Sequence, residues 1–295
     1  MNRHVVSLMG ASLLWGCAWL PLKALGEAGF DGLTLAFVAF SLLALVTTLF
    51  AIRQAGRVAG IGPLLLIALL GGGANLSFTL AMVYGEVVRA MVLFYLLPLW
   101  GVLGGWLMLG ERVDALRWLG VAFALIGAWQ VLGGVHILDA EPSGFELFGL
   151  LAGFLYAMNN LLFRGVQQVP LSAKLSAMFI GCAGLALLGL LSTGESLPPP
   201  VAALTWVGVA LYALCWLLPA NLGAQYGVTH LEVGRASVIL ILELVAAVVS
   251  ATLIGGEQMS PMEWAGAILI LIAALIEALR GSPLVIEAAV VAAQK

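Results

Sequence analysis

Ten stretches of about twenty mainly apolar residues run through this chain, and they constrain its fold more than any other feature. A helix that crosses a bilayer needs roughly 20 apolar residues. Only 9% of the 295 residues are charged, whereas a soluble domain keeps about a quarter. The sequence therefore predicts an all-α polytopic membrane protein with ten transmembrane helices, at about 5–25, 33–52, 62–84, 87–109, 116–134, 145–165, 174–193, 202–225, 233–255 and 262–280.

Lysine and arginine residues predict how the chain is oriented. If the N-terminus is cytoplasmic, only Lys23 and Arg89 of the twelve basic residues fall on the outer side. Because cytoplasmic loops carry an excess of Lys and Arg, we predict that both termini are cytoplasmic, with a tail at 281–295. The net charge of −3 offers no basic surface for a nucleic acid. The expected partners are the lipid bilayer and a small molecule, and the sequence is compatible with a monomer.

The second half of the chain repeats the first at a shift of 146 residues. The matches need no gap over roughly sixty residues and include ANL at 74–76 and 220–222, and EVVRA at 86–90 with EVGRA at 232–236. Each half holds five spans, an odd number, so the halves enter the membrane in opposite senses. Inverted repeats are typical of secondary transporters, with a site near the bilayer midplane. We predict two inverted five-helix repeats, at 5–134 and 145–280, around a central cavity.

These features resemble a known family. Two five-helix halves, LLWG in span one, and the P…LGE of span four with the E…GGE of span nine resemble the EamA type of the drug/metabolite transporter superfamily. Within it, the chain is most similar to bacterial inner-membrane exporters of aromatic amino acids. The resemblance implies ten helices around a cavity that opens to one side at a time, and export of neutral amino acids such as phenylalanine and tryptophan. Where the family often has Glu-Pro in span nine, this chain has Glu243-Leu244; the proline is kept only as Pro98.

Glu243 lies in the middle of span nine, in the stretch ASVILILELVAAVVSATLIGG. A charged side chain at the centre of a membrane helix costs about 2.5–3.5 kcal/mol on insertion scales, so such a residue usually faces the interior of the bundle. Glu243 either binds the substrate or carries a proton, or it is a neutral acid hydrogen-bonded to a neighbouring helix. We predict that it takes part in binding.

Polar and aromatic side chains share helix faces in several other spans. Their spacing in spans three and six follows the period of a helix, and Asn221 is the repeat mate of Asn75. Each has a plainer interpretation, in core packing or interhelical hydrogen bonding. Together they predict a site for an amphiphilic molecule, with Pro98 as a hinge. The predicted substrate-binding residues are Trp15, Asn75, Phe78, Thr79, Tyr95, Tyr156, Asn159, Phe163, Asn221, Gln225 and Glu243.

Other classes of function are disfavoured by what the sequence lacks. The three histidines lie near span ends, and there is no HExxH, nucleotide loop or Ser-His pair, so we expect no metal, no cofactor and no enzymatic activity. A channel would need a continuous polar stripe. A phosphorylated substrate would favour Arg or Lys within the cavity, and none lies mid-span. The main alternative is a multidrug or other metabolite exporter, and the energy source stays open between proton coupling and facilitation.

Overall fold

The computed structural model describes residues 2–30, 32–54, 60–84, 91, 93–135, 144–193, 201–255 and 260–279, and this part of the chain is all-helical. A 3-10 turn at Gly144–Glu146 precedes α7, and a π-helical segment, Tyr212–Leu217, joins α9 to α10. The predicted tail at 281–295 and Arg89 lie outside the described residues. The α-helices are α1 (Arg3–Gly16), α2 (Trp19–Glu27), α3 (Gly32–Ile52), α4 (Gly62–Tyr84), α5 (Leu97–Leu109), α6 (Ala115–Val131), α7 (Leu147–Gly165), α8 (Leu171–Thr193), α9 (Ala203–Leu211), α10 (Leu218–His230), α11 (Val233–Leu240), α12 (Leu242–Gly255) and α13 (Pro261–Leu279).

Five helical stretches of the described chain are long and apolar enough to cross a bilayer: Gly32–Ile52, Leu147–Gly165, Leu171–Ser192, Ala203–His230 and Val233–Ile254. Shorter apolar helices lie at Gly62–Phe78, Leu97–Leu109, Ala115–Val131 and Pro261–Ile276. The protein is therefore a multi-pass, all-helical membrane protein. Several predicted spans consist of two shorter helices or of one short helix, so the ten-helix inverted repeat stays a prediction.

Two of the predicted spans are interrupted next to a proline, and a third has a π segment next to one. Pro21 lies in the first turn of α2, Pro98 in the first turn of α5, and Pro219 in the first turn of α10, directly after the π segment. Proline has no N–H to donate, and its ring clashes with the carbonyl four residues earlier, so a helix starts at such a residue more easily than it continues through it. Pro98, the predicted hinge, lies at one of these interruptions.

The ninth predicted span is interrupted as well, although it has Leu244 where the first half has Pro98. Helix α11 ends at Leu240 and α12 begins at Leu242. The Leu244 N–H donates to the Ile241 carbonyl at 3.0 Å, the three-residue spacing of a 3-10 turn. Glu243 lies in the first turn of α12, where the helix dipole favours a negative side chain. The interruption therefore needs no proline.

Helices from the two halves pack against each other in a reciprocal pattern. From the first half, α1 contacts α10 and α12; from the second half, α7 contacts α4 and α5. The helices α6 and α13 form another extensive contact, as do α3 and α8. The centre of the bundle is thus built from α1, α4, α5, α7, α10, α11 and α12.

The contact between α4 and α8 is close enough to bring the two backbones together. A Cβ atom built on Gly72 would lie 2.5 Å from the carbonyl carbon of Gly181, and one built on Gly181 would contact the Ala68 carbonyl oxygen. Small residues allow membrane helices to approach in this way. No side chain fits at either position without moving one of the helices.

Candidate functional site

A cavity of about 400 Å³ lies among the central helices. A drug-sized ligand pocket typically measures roughly 300–1,000 Å³, so a small metabolite fits. Small residues open the space, and Gly16 brings α1 against the Glu243 carbonyl oxygen of α12. The described lining is Trp15, Gly16, Ala18, Ala74, Asn75, Phe78, Met91, Phe94, Tyr95, Tyr156, Asn221, Glu243 and Ala247.

Glu243 faces this cavity from the first turn of α12. Its side chain is half-buried and lines the cavity. The Tyr95 hydroxyl lies beside the Glu243 carboxylate, close enough to interact with it from the turn that precedes α5. Among the described lining residues, Glu243 has the only carboxylate, and none is a Lys, Arg or His. The site therefore offers a fixed acidic group to a ligand.

Two amides line the cavity from repeat-related helices, α4 and α10. Asn75 Nδ2 donates to the Gly71 carbonyl at 2.8 Å, and Asn221 Nδ2 donates to the Leu217 carbonyl at 2.9 Å. Each side chain thus bonds to its own helix four residues back, with the same geometry in both halves. An amide NH₂ group carries two donors and its oxygen accepts. The bond to Leu217 uses one N–H of the Asn221 amide, so its second N–H can donate to a ligand.

Aromatic rings form one wall of the cavity. Phe94 is at the centre of the group: its ring centroid lies 5.1 Å from that of Phe78, 5.4 Å from that of Tyr95 and 6.4 Å from that of Tyr156. Trp15 lines the cavity from α1. Ring centroids 4.5–7 Å apart are typical of favourable aromatic pairs. The wall can accept a further aromatic ring.

Other residues of the predicted site lie away from the cavity lining. Asn159 is fully buried, with Nδ2 4.0 Å from the Met178 sulfur of α8. Phe163 is fully buried too, with the Lys174 ammonium 5.4 Å from its ring centroid. Both follow Tyr156 on the predicted stripe of α7, but one and two turns further along, where α7 faces α8 instead of the cavity.

Gln225 and Pro98 lie behind the lining, and Thr79 is not placed by the structure. Gln225 Nε2 donates to the Tyr156 hydroxyl at 3.4 Å, so Gln225 supports a lining residue from outside. Pro98 is buried at the start of α5. Thr79 belongs to α4, but its side chain lies outside the described part of the chain.

Phe94 and Met91 complete the lining, although neither was among the predicted site residues. A continuous helix would place Met91, Tyr95, Pro98 and Val102 on one face. The turn at Tyr95–Leu96 ends that register, so Phe94 and Tyr95 both face inward while Pro98 and Val102 are buried in the packing. The proline three residues after Tyr95 was the available signal that the face would change.

No group of three or more His, Cys, Asp or Glu side chains within the described ranges is arranged to hold a metal ion.

The chain also matches a known protein family. Residues 3–133 and 144–278 each match the family model described as the EamA-like transporter family. The two matched regions leave only the first two residues, a ten-residue connection and the C-terminal end outside.

Two curated relatives and one solved structure are similar to the chain. An uncharacterized transporter from Vibrio cholerae is 32% identical over 185 residues, which are 58% of this chain and 61% of that protein. An uncharacterized transporter from Archaeoglobus fulgidus is 25% identical over 254 residues, 85% of this chain and 88% of that protein. A crystal structure of a protein without a stated function superimposes with a TM-score of 0.79 at 18% identity, covering 94% of this chain and 99% of that chain. The last likeness concerns the fold alone.

Proposed function

The chain belongs to the EamA-like transporter family of the drug/metabolite transporter superfamily, and from this premise we propose that it exports neutral, mainly aromatic amino acids by alternating access. The proposed location is the bacterial inner membrane, with both termini in the cytoplasm. The protein would release its substrate chemically unchanged, as a transporter and not as an enzyme.

The observation that carries the proposal is the pairing of Glu243 with an aromatic wall in one cavity. The carboxylate, with the Tyr95 hydroxyl beside it, can bind the ammonium group of an amino acid. The side-chain ring of the ligand can pack against Phe78, Phe94 and Tyr156, where an aromatic pair adds roughly 0.5–1.5 kcal/mol. Asn221 can donate to the α-carboxylate. These contacts suit a zwitterion with an apolar side chain.

Alternating access is supported by the repeat. We propose that residues 5–134 and 145–280 form inverted five-helix units around the cavity, since each half has an odd number of predicted spans. The helices next to the cavity are interrupted at Cys17–Ala18, Tyr95–Leu96 and Ile241. Interrupted helices with ends near the midplane are typical of secondary transporters, because short segments can tilt without unfolding the rest.

A second candidate is supported by the charge of the same site. Glu243 is a carboxylate among aromatic rings, and no basic residue lies in the described lining. Aromatic faces and a carboxylate together attract organic cations. An exporter of amphiphilic amines or cationic drugs would use the same two features but would not need Asn221.

Liposomes that contain the purified protein distinguish the two candidates. We expect tryptophan and phenylalanine to be transported faster than threonine or lysine, and faster than tryptamine, which has the same ring and amine but no carboxylate. A preference for tryptamine and a lipophilic cation would favour the second candidate. Absence of flux for every one of these compounds would contradict both. Repeating the assay with and without a pH gradient tests proton coupling.

The contribution of Glu243 is tested by Glu243→Gln, with Glu27→Gln as the matched control on an exposed residue. We expect the Glu243 variant to lose at least 90% of tryptophan transport, because removing one charge-assisted hydrogen bond costs about 1.5–3 kcal/mol. The control should transport like the parent. Tyr95→Phe should give an intermediate loss, because it removes the hydroxyl beside the carboxylate but leaves the charge. Equal rates for Glu243→Gln and the parent would refute the role given to this residue.

A further inference from the structure

Away from the cavity, polar groups of the first half contact the start of α11 in the second half. The carboxylate of Glu111, in the connection between α5 and α6, accepts a hydrogen bond from the Val233 N–H at 2.7 Å and a weaker one from the Gly234 N–H at 3.3 Å. These two residues are the first of α11. The first N–H groups of a helix have no partner within the helix, so the side chain of one half satisfies the helix start of the other.

An ion pair joins the halves at the same end. Arg117, near the start of α6, pairs with Glu232, the residue just before α11. The Arg117 side chain is only 2% exposed and that of Glu232 18%, and Arg117 also donates to the Arg112 carbonyl at 3.2 Å. Burial raises the pKa of Glu111, while the two N–H bonds and the Arg117 charge act in the opposite direction. A buried arginine stays charged and needs its acidic partner.

These contacts lie at a distance from the cavity along the helices. Glu243 follows Val233 by ten residues, which corresponds to roughly 15 Å of helix. Tyr95 precedes Glu111 by sixteen residues along α5 and the turn before it. The cavity therefore lies about half a bilayer thickness from the contacts around Glu111 and Arg117.

We propose that Glu111, Arg117 and Glu232 form an interhalf latch that holds this end of the bundle closed. The latch rests on the alternating-access function proposed above. While it is formed, α5 and α11 cannot separate, so the cavity has no path to this side. When it opens, the start of α11 moves away from the α5–α6 connection, and the Arg117 side chain must be rehydrated.

The repeat indicates that the latch is one-sided. At the 146-residue shift, Glu263 occupies the position of Arg117, and Glu86 that of Glu232. The sequence therefore has two acids at the corresponding positions of the other half, where this half has an arginine and a glutamate. An ion pair of this kind cannot form there. The latch consequently favours the state in which its own end is closed.

The test measures access to the cavity from each side of the membrane. Ala247→Cys places a reporter thiol in the lining, in a background in which Cys17, Cys182 and Cys215 are replaced by serine or alanine. A membrane-impermeant maleimide is applied to vesicles of either orientation. In the parent we expect slow labelling from the latch side. Glu111→Ala and Arg117→Gln should each raise that rate at least tenfold.

Two further variants separate the latch from general damage to the protein. Glu263→Gln makes the same kind of change near the start of α13, where the carboxylate accepts a hydrogen bond from the Ser260 N–H of its own half, and it should leave labelling unchanged. The charge exchange of Arg117→Glu with Glu232→Arg should restore slow labelling. If an Arg117 variant does not remain monodisperse, Glu111→Gln, which keeps the shape of the side chain, carries the test.

Parallel tryptophan flux distinguishes failure of the latch from failure of the proposed function. Unchanged labelling in folded Glu111→Ala and Arg117→Gln proteins, with a parent that transports, would overturn the latch alone. A tenfold change in labelling, with a parent that transports none of the amino acids, would support the latch and refute the substrate.

Discussion

Two repeat-related contacts of the bundle, α4 with α8 and α3 with α9 and the π segment, are packed in different ways. On one side, α4 meets α8 at the backbone, through Gly72 and Gly181. On the other side, α3 meets α9 and the π segment over a much smaller contact. The 146-residue shift places Leu217, Leu218 and Pro219 opposite Gly71, Gly72 and Gly73.

The difference shows that side-chain size sets how closely each side can pack, although the two halves are related in sequence. Glycines allow backbone contact between membrane helices, whereas leucine and proline keep the helices apart. Proline also interrupts the hydrogen bonds of its own helix. We therefore expect the α4–α8 side to behave as a rigid contact, and the α9–α10 side to change shape during transport.

The largest expected effect comes from breaking the rigid contact with Gly181→Leu. The new side chain would overlap the Ala68 carbonyl, and overpacking of this kind costs about 1–3 kcal/mol, occasionally more. We expect the temperature at which half of the protein stays monodisperse in detergent to fall clearly. Gly184→Leu is the matched control, because a Cβ there has nothing within 4 Å. Equal losses in both variants would contradict a special contact at Gly181.

Pro219→Ala tests whether the α9–α10 side changes shape during transport. Without the proline, the π segment can convert to regular α-helix, and we expect transport to slow about tenfold, or roughly 1.4 kcal/mol in activation free energy. The control is Pro261→Ala at the first position of α13, where a proline removes no intrahelical bond. Tryptophan flux and hydrogen exchange of residues 212–217 provide the measurements. A normal rate together with slower exchange would show that this segment need not change shape.

The smallest effect is expected at the two amides, which are alike in both halves. Asn75→Ala and Asn221→Ala should each raise the KM for tryptophan about fivefold, equivalent to about 1 kcal/mol for one hydrogen bond. Similar shifts would indicate that both halves contact the ligand directly. A higher KM in only one of the two variants would show that the two halves also differ in how they contact the ligand.

Much of the membrane character and part of the candidate site could be predicted from the sequence. Hydrophobic runs and turn residues define the helical segments well, because the bilayer imposes both their length and their composition. Glu243, Asn75 and Asn221 were identifiable because a polar group in an apolar run has few tolerable surroundings. The structure places all three at one cavity.

The rest depended on where helices are interrupted and how deep the cavity extends. A period of 3.6 residues predicts which side chains share a helix face, but not how far along that face the cavity extends. Asn159 and Phe163 were therefore grouped with Tyr156, although they pack against α8. A helical stripe also assumes an unbroken helix, and the turn at Tyr95–Leu96 changes the register that would have identified Phe94. The interruption at Ile241 has no proline to indicate it.

Lys174 has a consequence for how the protein is assembled. Its ammonium is fully buried in α8 and donates to the Phe163 carbonyl at 2.6 Å, one of the last carbonyls of α7. The last carbonyls of a helix have no partner within the helix, and a cation is favoured beside them. Lys174 is therefore expected to tie the start of α8 to the end of α7 while the rest of the bundle assembles around them.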